Sequence, residues 1–406
     1  MHTQNPSSPV RRRGLGFALG GAAATLMMAG ASAPSPFYPV LQERLSLGTM
    51  GVSVAFAIYA LALLLALLTG GSISDHIGRR PVISAGFLLL AGGLALVWLS
   101  DSGAMLYAGR VVQGIASGLV VPALSAAIID FAPAGNSRAA TLLNTLAPTL
   151  GLALGAVGAG LVLDLAADEP TAAALTFGPL VAVYVLVSAA SWLVPETSPR
   201  EAGWLRSLQP RASVPRPARP LFGISVPIVL GGWATGGLFL SLGPSIVHAE
   251  LHIDGQLATG LLIGLLPATG AAAAFVMHNR RPIVSAVYGA SALAVGTLIM
   301  LLALVLGSLP IYVVAVIVAG TGFGTAFMGT IGSLMPLAAV HERAELFAAL
   351  YIVAYLSFGI PAVIAGILAT AFGLHVTVLV FGAVVAVAAG TAAVFRARAG
   401  SVSLPA

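Results

Sequence analysis

Ten residues, Gly71-Ser72-Ile73-Ser74-Asp75-His76-Ile77-Gly78-Arg79-Arg80, place an acid and two arginines between long apolar runs, Ser53–Thr69 and Pro81–Ser100. An acid four residues before an arginine can form an ion pair that a change of shape makes or breaks. Glycines at 71 and 78 permit turn conformations closed to other residues. Arg110 is a second candidate. It lies about six residues inside the apolar run 104–130, about 9 Å deep if that run is a helix. Gln113 follows less than one turn later. A guanidinium at membrane depth is costly without partners or water and marks function by default, the alternative being an arginine that snorkels to the nearer surface.

The thirteen acids inform by position, because none stands at the centre of an apolar run. Asp130 closes the run 104–130 and Asp164 closes 139–164. A proton carried on a side chain therefore has to sit on Asp130, Asp75 or Asp164, with Arg110 setting its affinity. There is no cysteine, no pair of histidines at metal-ligand spacing and no carboxylate pair at membrane depth, so no metal site and no catalytic residue is expected and the chain does not read as an enzyme. All 18 basic residues are arginine. Without a lysine there is no phosphate-binding Gly-x-x-x-x-Gly-Lys loop, and ATP is not the driver. No cofactor is expected.

These residues must be positioned by elements that live in lipid. Hydrophobic residues make up 58% of the 406, charged residues 8%, and mean hydropathy is +1.02. A water-soluble chain of that length needs a far more charged surface. Twelve apolar runs are each about 20 residues or longer, enough to cross a hydrocarbon layer about 30 Å thick. They lie at 14–33, 49–69, 81–100, 104–130, 139–164, 172–194, 222–247, 257–277, 282–306, 309–333, 346–370 and 373–395. Lipid offers no partner to free backbone groups, so each run is expected to be helical; the alternation of a β-barrel is missing. With both ends of the chain inside, 16 of the 18 arginines fall on inner segments, Arg44 lies outside and Arg110 within a span. That asymmetry orients the chain, and the net charge of +5 is a topology signal and not a nucleic-acid patch. Arg11–Arg13, the apolar run from Gly14 and Ala31-Ser32-Ala33 also have the make-up of a cleavable leader, but its removal would leave eleven spans and spoil the pairing of two halves.

Pro195–Pro220, with five arginines and repeated prolines, reads as a solvated linker. The expected organisation is an inner N-terminal segment (1–13), a six-helix bundle (14–194), the linker (195–221), a second six-helix bundle (222–396) and an inner tail (397–406). His278-Asn279-Arg280-Arg281-Pro282 echoes Asp75…Arg80-Pro81 at the matching place of the second half, without the acid. Two related bundles rocking about a central site are the usual plan of a secondary transporter.

The motifs resemble those of the major facilitator superfamily, in its drug:proton antiporter-like branch. Gly71…Asp75…Gly78-Arg79-Arg80 is similar to its motif A, with His76 in place of the usual arginine; Arg110-Val111-Val112-Gln113-Gly114…Gly118 to its motif B; Pro148…Gly151…Gly155 to its glycine-rich motif C, without the central Gly-Pro pair. Ser35-Pro36-Phe37-Tyr38-Pro39 and Leu238–Ser245 look like the outer ends of the first and seventh helices of drug and sugar carriers. The resemblance implies an all-α integral membrane protein with twelve transmembrane helices in two pseudo-symmetric bundles. It implies a conformational latch at Gly71, Asp75, Gly78, Arg79 and Arg80, coupling at Arg110, Gln113 and Asp130, and gating glycines at Gly151 and Gly155. A cavity between the first, fourth, seventh and tenth helices is expected to be walled by Phe37, Tyr38, Tyr59, Asn144, Trp233, Phe239, Phe323, Phe327 and Tyr355, with Met328 and Tyr351 beside them. Such a wall suits amphipathic molecules. The implied activity is alternating-access export of small hydrophobic or amphipathic compounds in exchange for protons, by a monomer in the bacterial inner membrane with both termini cytoplasmic. A sugar or metabolite carrier of the same fold is the alternative, less suited because few polar side chains are central. A receptor or scaffold on this fold is disfavoured by the intact motif A and Arg110.

Overall fold

The computed structural model describes residues 8–133, 137–198, 212–339 and 342–402, together with 200, 202, 203, 205 and 208–210. Arg206 and Arg211 of the linker, residues 1–7 and 403–406, and the side chains of Arg11, Arg12 and Arg138 lie outside the described residues. Twelve helices are long and apolar enough to span a membrane. They are α1 Ser8–Ser32, α2 Thr49–Gly70, α3 Arg79–Trp98, α4 Gly103–Phe131, α5 Ser137–Leu165, α6 Glu169–Ala190, α7 Arg219–Ser241, α8 Gln256–Met277, α9 Pro282–Leu306, α10 Leu309–Leu334, α11 Arg343–Phe372 and α12 Leu374–Val402. Large apolar side chains such as Leu65, Leu154, Leu186, Val305 and Val387 stand exposed on their outer faces, where lipid takes the place of water.

The seventh expected run ends differently. It breaks at Leu242, and a separate helix Gly243–Leu251 follows with Pro244 in its first turn. Proline fits there because the first-turn N–H groups have no partner within a helix, whereas inside a helix it removes a bond. Pro39 does the same after α1, opening the short helix Tyr38–Arg44.

Within the first half α1 packs on α4 and α5, α2 and α3 on α4, and α3 on α6; within the second α9 and α8 pack on α10, and α12 on α7 and α9. The halves meet chiefly through α5 with α8 and α2 with α11, two pairs that interchange when the halves are exchanged. The α5–α8 seam is backbone on backbone. A Cβ added to Gly160 would fall 2.5 Å from the Gln256 carbonyl oxygen, and one on Gly260 would fall 2.5 Å from that of Ala156. At the end of this seam Asp164 accepts hydrogen bonds from the backbone N–H groups of Gln256 (2.8 Å) and Leu257 (2.9 Å), capping α8 from the opposite half. Nearby the Ser35 hydroxyl donates to the Leu240 carbonyl at 2.6 Å. These ties lie on the face away from the arginine-rich loops. Among the described residues, α4 and α5 make no substantial contact with α10 or α11, whose near ends lie at the arginine-rich face. The halves are therefore closed on one face and parted on the other.

Asp164→Ala should loosen the closed face. Loss of a helix cap costs about 1 kcal/mol, a shift of roughly fivefold in the ratio of closed to open molecules. The chain has no native cysteine, so spin labels on cysteines placed at Asp101 and Leu309 should report a larger long-distance fraction in the variant. An unchanged distance distribution would mean that the glycine seam holds this face without the cap.

Candidate functional site

Arg110 is the eighth residue of α4, counting from Gly103, and is fully buried. It does not snorkel. Its Nη1 donates to Gln113 Oε1 at 2.9 Å, its Nε faces the Ala55 carbonyl of α2 at 3.4 Å, and its guanidinium lies 4.4 Å from the Tyr59 ring centre. Nη2 has no partner. Small residues create the geometry. A Cβ on Gly114 would meet the Tyr59 carbonyl oxygen at 2.5 Å and one on Gly118 that of Leu63 at 2.4 Å, so only glycines let α2 come this close to α4. On the other side, a Cβ on Gly93 would fall 2.8 Å from Gln113 Cγ. The Tyr59 hydroxyl donates to Ser117 Oγ at 3.3 Å, which fixes the ring over the charge.

Beyond Tyr59 the aromatic residues of both halves converge. Trp233 of α7 has ring centres 5.4 Å from Phe327 of α10, and 5.0 and 5.5 Å from Tyr355 and Phe358 of α11. Phe358 in turn lies 4.7 Å from Phe56 of α2. Trp233, Phe323, Phe327 and Tyr351 are half-buried, whereas Phe56, Tyr59, Tyr355 and Phe358 form one buried cluster across the interface. Phe347, Tyr351, Tyr355 and Phe358 recur at three- and four-residue steps along one face of α11, a spacing that was legible. Phe56 and Phe358 were not among the expected walls.

Several expected site residues serve packing instead. Phe37 is buried against Phe177 within the first half at 4.8 Å, with Tyr38 in the same core, and Phe239 stacks on Tyr312 within the second half at 6.4 Å. Asn144 ties α5 to α4 by donating to the Ser125 carbonyl at 3.2 Å. Gly151 and Gly155 bring α5 onto α1 inside one half, where added Cβ atoms would fall 2.2 and 2.1 Å from the carbonyls of Thr25 and Ala29. Among the described residues, glycines between the halves include Gly160, Gly260 and Gly264 at the α5–α8 seam and Gly359 and Gly366 where α11 meets α2. Asp130 stands 20 residues beyond Arg110 on α4, about 30 Å away along the helix, too far for the guanidinium to set its proton affinity.

Asp130 belongs to the loop network. Arg79 pairs with Asp75, reaches Ser74 Oγ at 2.8 Å and lies 3.5 Å from Asp130, which accepts from the Thr197 hydroxyl at 2.7 Å. Asp75 and His76 occupy a one-turn helix, Ile73–Ile77. Of the two loop glycines only Gly78 has a positive φ (+119°); Gly71 is helical at −59°. Gly78 also clears space, since a Cβ there would lie 2.6 Å from Glu196 Oε2. Glu196, from the start of the linker, is a residue that the sequence reading missed. It accepts from the N–H groups of Arg79 (2.8 Å), Arg80 (3.1 Å), Thr197 (3.0 Å) and Ser198 (3.0 Å), capping α3. Ser198 Oγ donates to the Asp75 carbonyl at 2.8 Å. Burial pushes the Glu196 carboxyl up, but its four backbone donors outweigh that and hold it below its ordinary 4.5.

A carboxyl depressed in the folded state stabilises above its unfolded pKa and ceases to do so as pH falls through its folded value. Glu196→Gln should therefore lower thermal stability at neutral pH by the equivalent of about 1 kcal/mol, with the gap to the native chain closing as the pH falls below the ordinary glutamate value of 4.5. Melting curves across pH test this, and a gap that persists unchanged in acid would remove the carboxylate as its cause.

The sequence profile described as Major Facilitator Superfamily matches residues 20–360. Over 103 residues the chain is 30% identical to the "Bacillibactin exporter" of Bacillus subtilis (strain 168), covering 24% of this chain and 25% of that protein. Over 98 residues it is 26% identical to the "Quinolone resistance protein NorA" of Staphylococcus aureus, with the same coverage. The chain thus spans about a quarter of the length of the curated relatives it matches. Its fold is shared along nearly the whole length by a bacterial homologue of the human lysosomal transporter Spinster in an inward-facing, unoccupied conformation (TM-score 0.76, 15% identity, 96% of this chain and 98% of that one). The human organic anion transporter MFSD10 shares it too (TM-score 0.66, 16% identity, 95% and 100%). With the profile matched over most of the chain and the same helical architecture throughout, this protein belongs to the Major Facilitator Superfamily.

Proposed function

We propose that the chain exports small hydrophobic or amphipathic organic compounds across the bacterial inner membrane by alternating access, in exchange for protons. The aromatic wall of Trp233, Phe327, Tyr351 and Tyr355 carries this reading. It is apolar and polarisable, carries no charged side chain, and lies between two bundles that part toward one face. By the positive-inside rule that face, with Arg79, Arg80, Arg280, Arg281 and Arg343, is cytoplasmic, and the conformation is the one that loads a substrate for export. The partial likeness to two exporters points the same way. A sugar site needs several polar groups around the ligand, and the wall at Trp233 offers only its indole N–H and tyrosine hydroxyls, with no amide or carboxylate side chain among the cluster's members. Motif A gives the cycle its latch: Asp75 is engaged with Arg79 while the cytoplasmic side is parted, and is free to change partners as the halves close.

In everted vesicles holding a pH gradient, amphipathic compounds should collapse the gradient when the native chain is present. Arg110→Ala and Asp75→Asn should reduce that response at least tenfold, about 1.4 kcal/mol in barrier terms, with membrane insertion unchanged. A full response from both variants would remove these residues from the mechanism. Silence toward neutral, anionic and cationic amphipaths alike would sink proton-coupled export.

A further inference from the structure

Among the described residues, no acidic side chain balances the charge of Arg110. Guanidinium stays protonated at any accessible pH. Its partners are an amide oxygen, a backbone carbonyl at 3.4 Å and an aromatic ring, all neutral, and no carboxylate pairs with it among the described residues. Asp130 and Asp164, next to the last residues of α4 and α5, are held at helix ends by Arg79 and Thr197 and by the N-terminus of α8. Nη2, a buried donor of an ionised group, is left unpartnered. Single-sided pairing of this kind is costly in a low dielectric unless a counter-ion arrives. The location says where it would come from. Tyr59 covers the guanidinium, and Tyr59 also belongs to the buried cluster with Phe56, Tyr355 and Phe358 that lies against the half-buried wall of Trp233 and Tyr351. One aromatic ring therefore separates an uncompensated cation from the apolar surface between the halves.

We propose that the substrate is an organic anion: an amphipathic carboxylate whose headgroup takes the free Nη2 of Arg110 once the Tyr59 ring turns aside, and whose apolar body lies along Trp233, Phe327 and Tyr351. Gln113 is a positioning residue, holding Nη1 so that Nη2 is the donor left for the ligand. The inference rests on the export reading in placing the substrate against this wall, and adds the sign of its charge. It also separates the site from one for cationic drugs, which Arg110 would repel.

The test uses the full chain in detergent and three probes with one apolar body: 4-phenylbutyrate, 4-phenylbutanamide and 4-phenylbutylammonium, with affinities measured by equilibrium dialysis. The carboxylate should bind at least tenfold tighter than the amide, and the ammonium most weakly. Arg110→Gln should erase the preference of carboxylate over amide while leaving amide affinity within about twofold, which also shows that the variant is folded; Arg110→Lys should keep part of it. Should Arg110→Gln fail to fold, the native chain still decides: carboxylate affinity should fall as pH drops through the probe's own carboxyl range, about 4 to 5, while amide affinity holds. Equal binding of carboxylate and amide, or tightest binding of the ammonium, would overturn the anion inference and leave the export reading standing. Binding of none of the three would count against the wall as a substrate surface, and both readings would fall.

Discussion

The approach of α2 to α4 is the constraint on which the rest of this structure depends. Gly114 and Gly118 admit the α2 backbone to distances that any side chain would forbid. That contact brings the Ala55 carbonyl and the Tyr59 ring to Arg110. A guanidinium placed in this bundle without them would keep one amide for company, and at this depth water does not make up the difference. The same helix offers Phe56 and the far side of Tyr59 to α11. Helix α2 therefore touches the buried charge on α4 and also packs against α11 of the opposite half.

The two membrane faces are held by different chemistry. The closed face uses backbone: the Gly160–Gly260 seam, Asp164 on the N–H groups of α8, and the Ser35–Leu240 bond all join one half to the other. At the parted face the ionic groups turn inward on their own half, with Asp75, Arg79 and Asp130 tied to one another and Glu196 to the start of α3. The far end of the linker is fastened to the second half instead, where Ser213 bonds Glu345 and Val214 packs beside Leu346 and Leu350. The linker thus begins as a cap on one bundle and ends packed on the other, and the arginine-rich face can part without releasing either attachment.

The sequence made the spans legible because a membrane demands about twenty apolar residues at a stretch, a signal that survives without alignment. It also located Arg110 and Gln113, since polar residues in such a stretch are rare. What it hid has one physical origin. In lipid the outer face of a helix is as apolar as its inner face, so Phe37 and Phe239, which pack inside a half, carry the same signature as Phe56 and Phe358, which meet across the interface. The direction of a glycine is equally mute: Gly151 and Gly155 face α1, whereas Gly160, on the same helix, faces α8. Glu196 was passed over because a linker acid among prolines and arginines looks solvated, and its meaning appears only when the start of α3 is seen folded against it. Asp164 was legible as a helix-end acid but not as a tie between halves, because its partners are backbone groups and any sequence supplies those.

An anionic cargo changes what the chain must supply to drive export. With an interior-negative potential, carrying one negative charge outward is favourable by about 2.3 kcal/mol per 100 mV. A carrier of cations works against the same term and needs a carboxylate at depth to exchange drug for proton; no acid lies in the middle of a span here. Arg110 fits the first case. With an anion bound, the site is neutral overall and the loaded carrier crosses its cycle without a naked charge; emptied, it returns with the guanidinium covered by Tyr59 and held by Gln113. If a proton enters in exchange, it adds to the electrical work in the same direction.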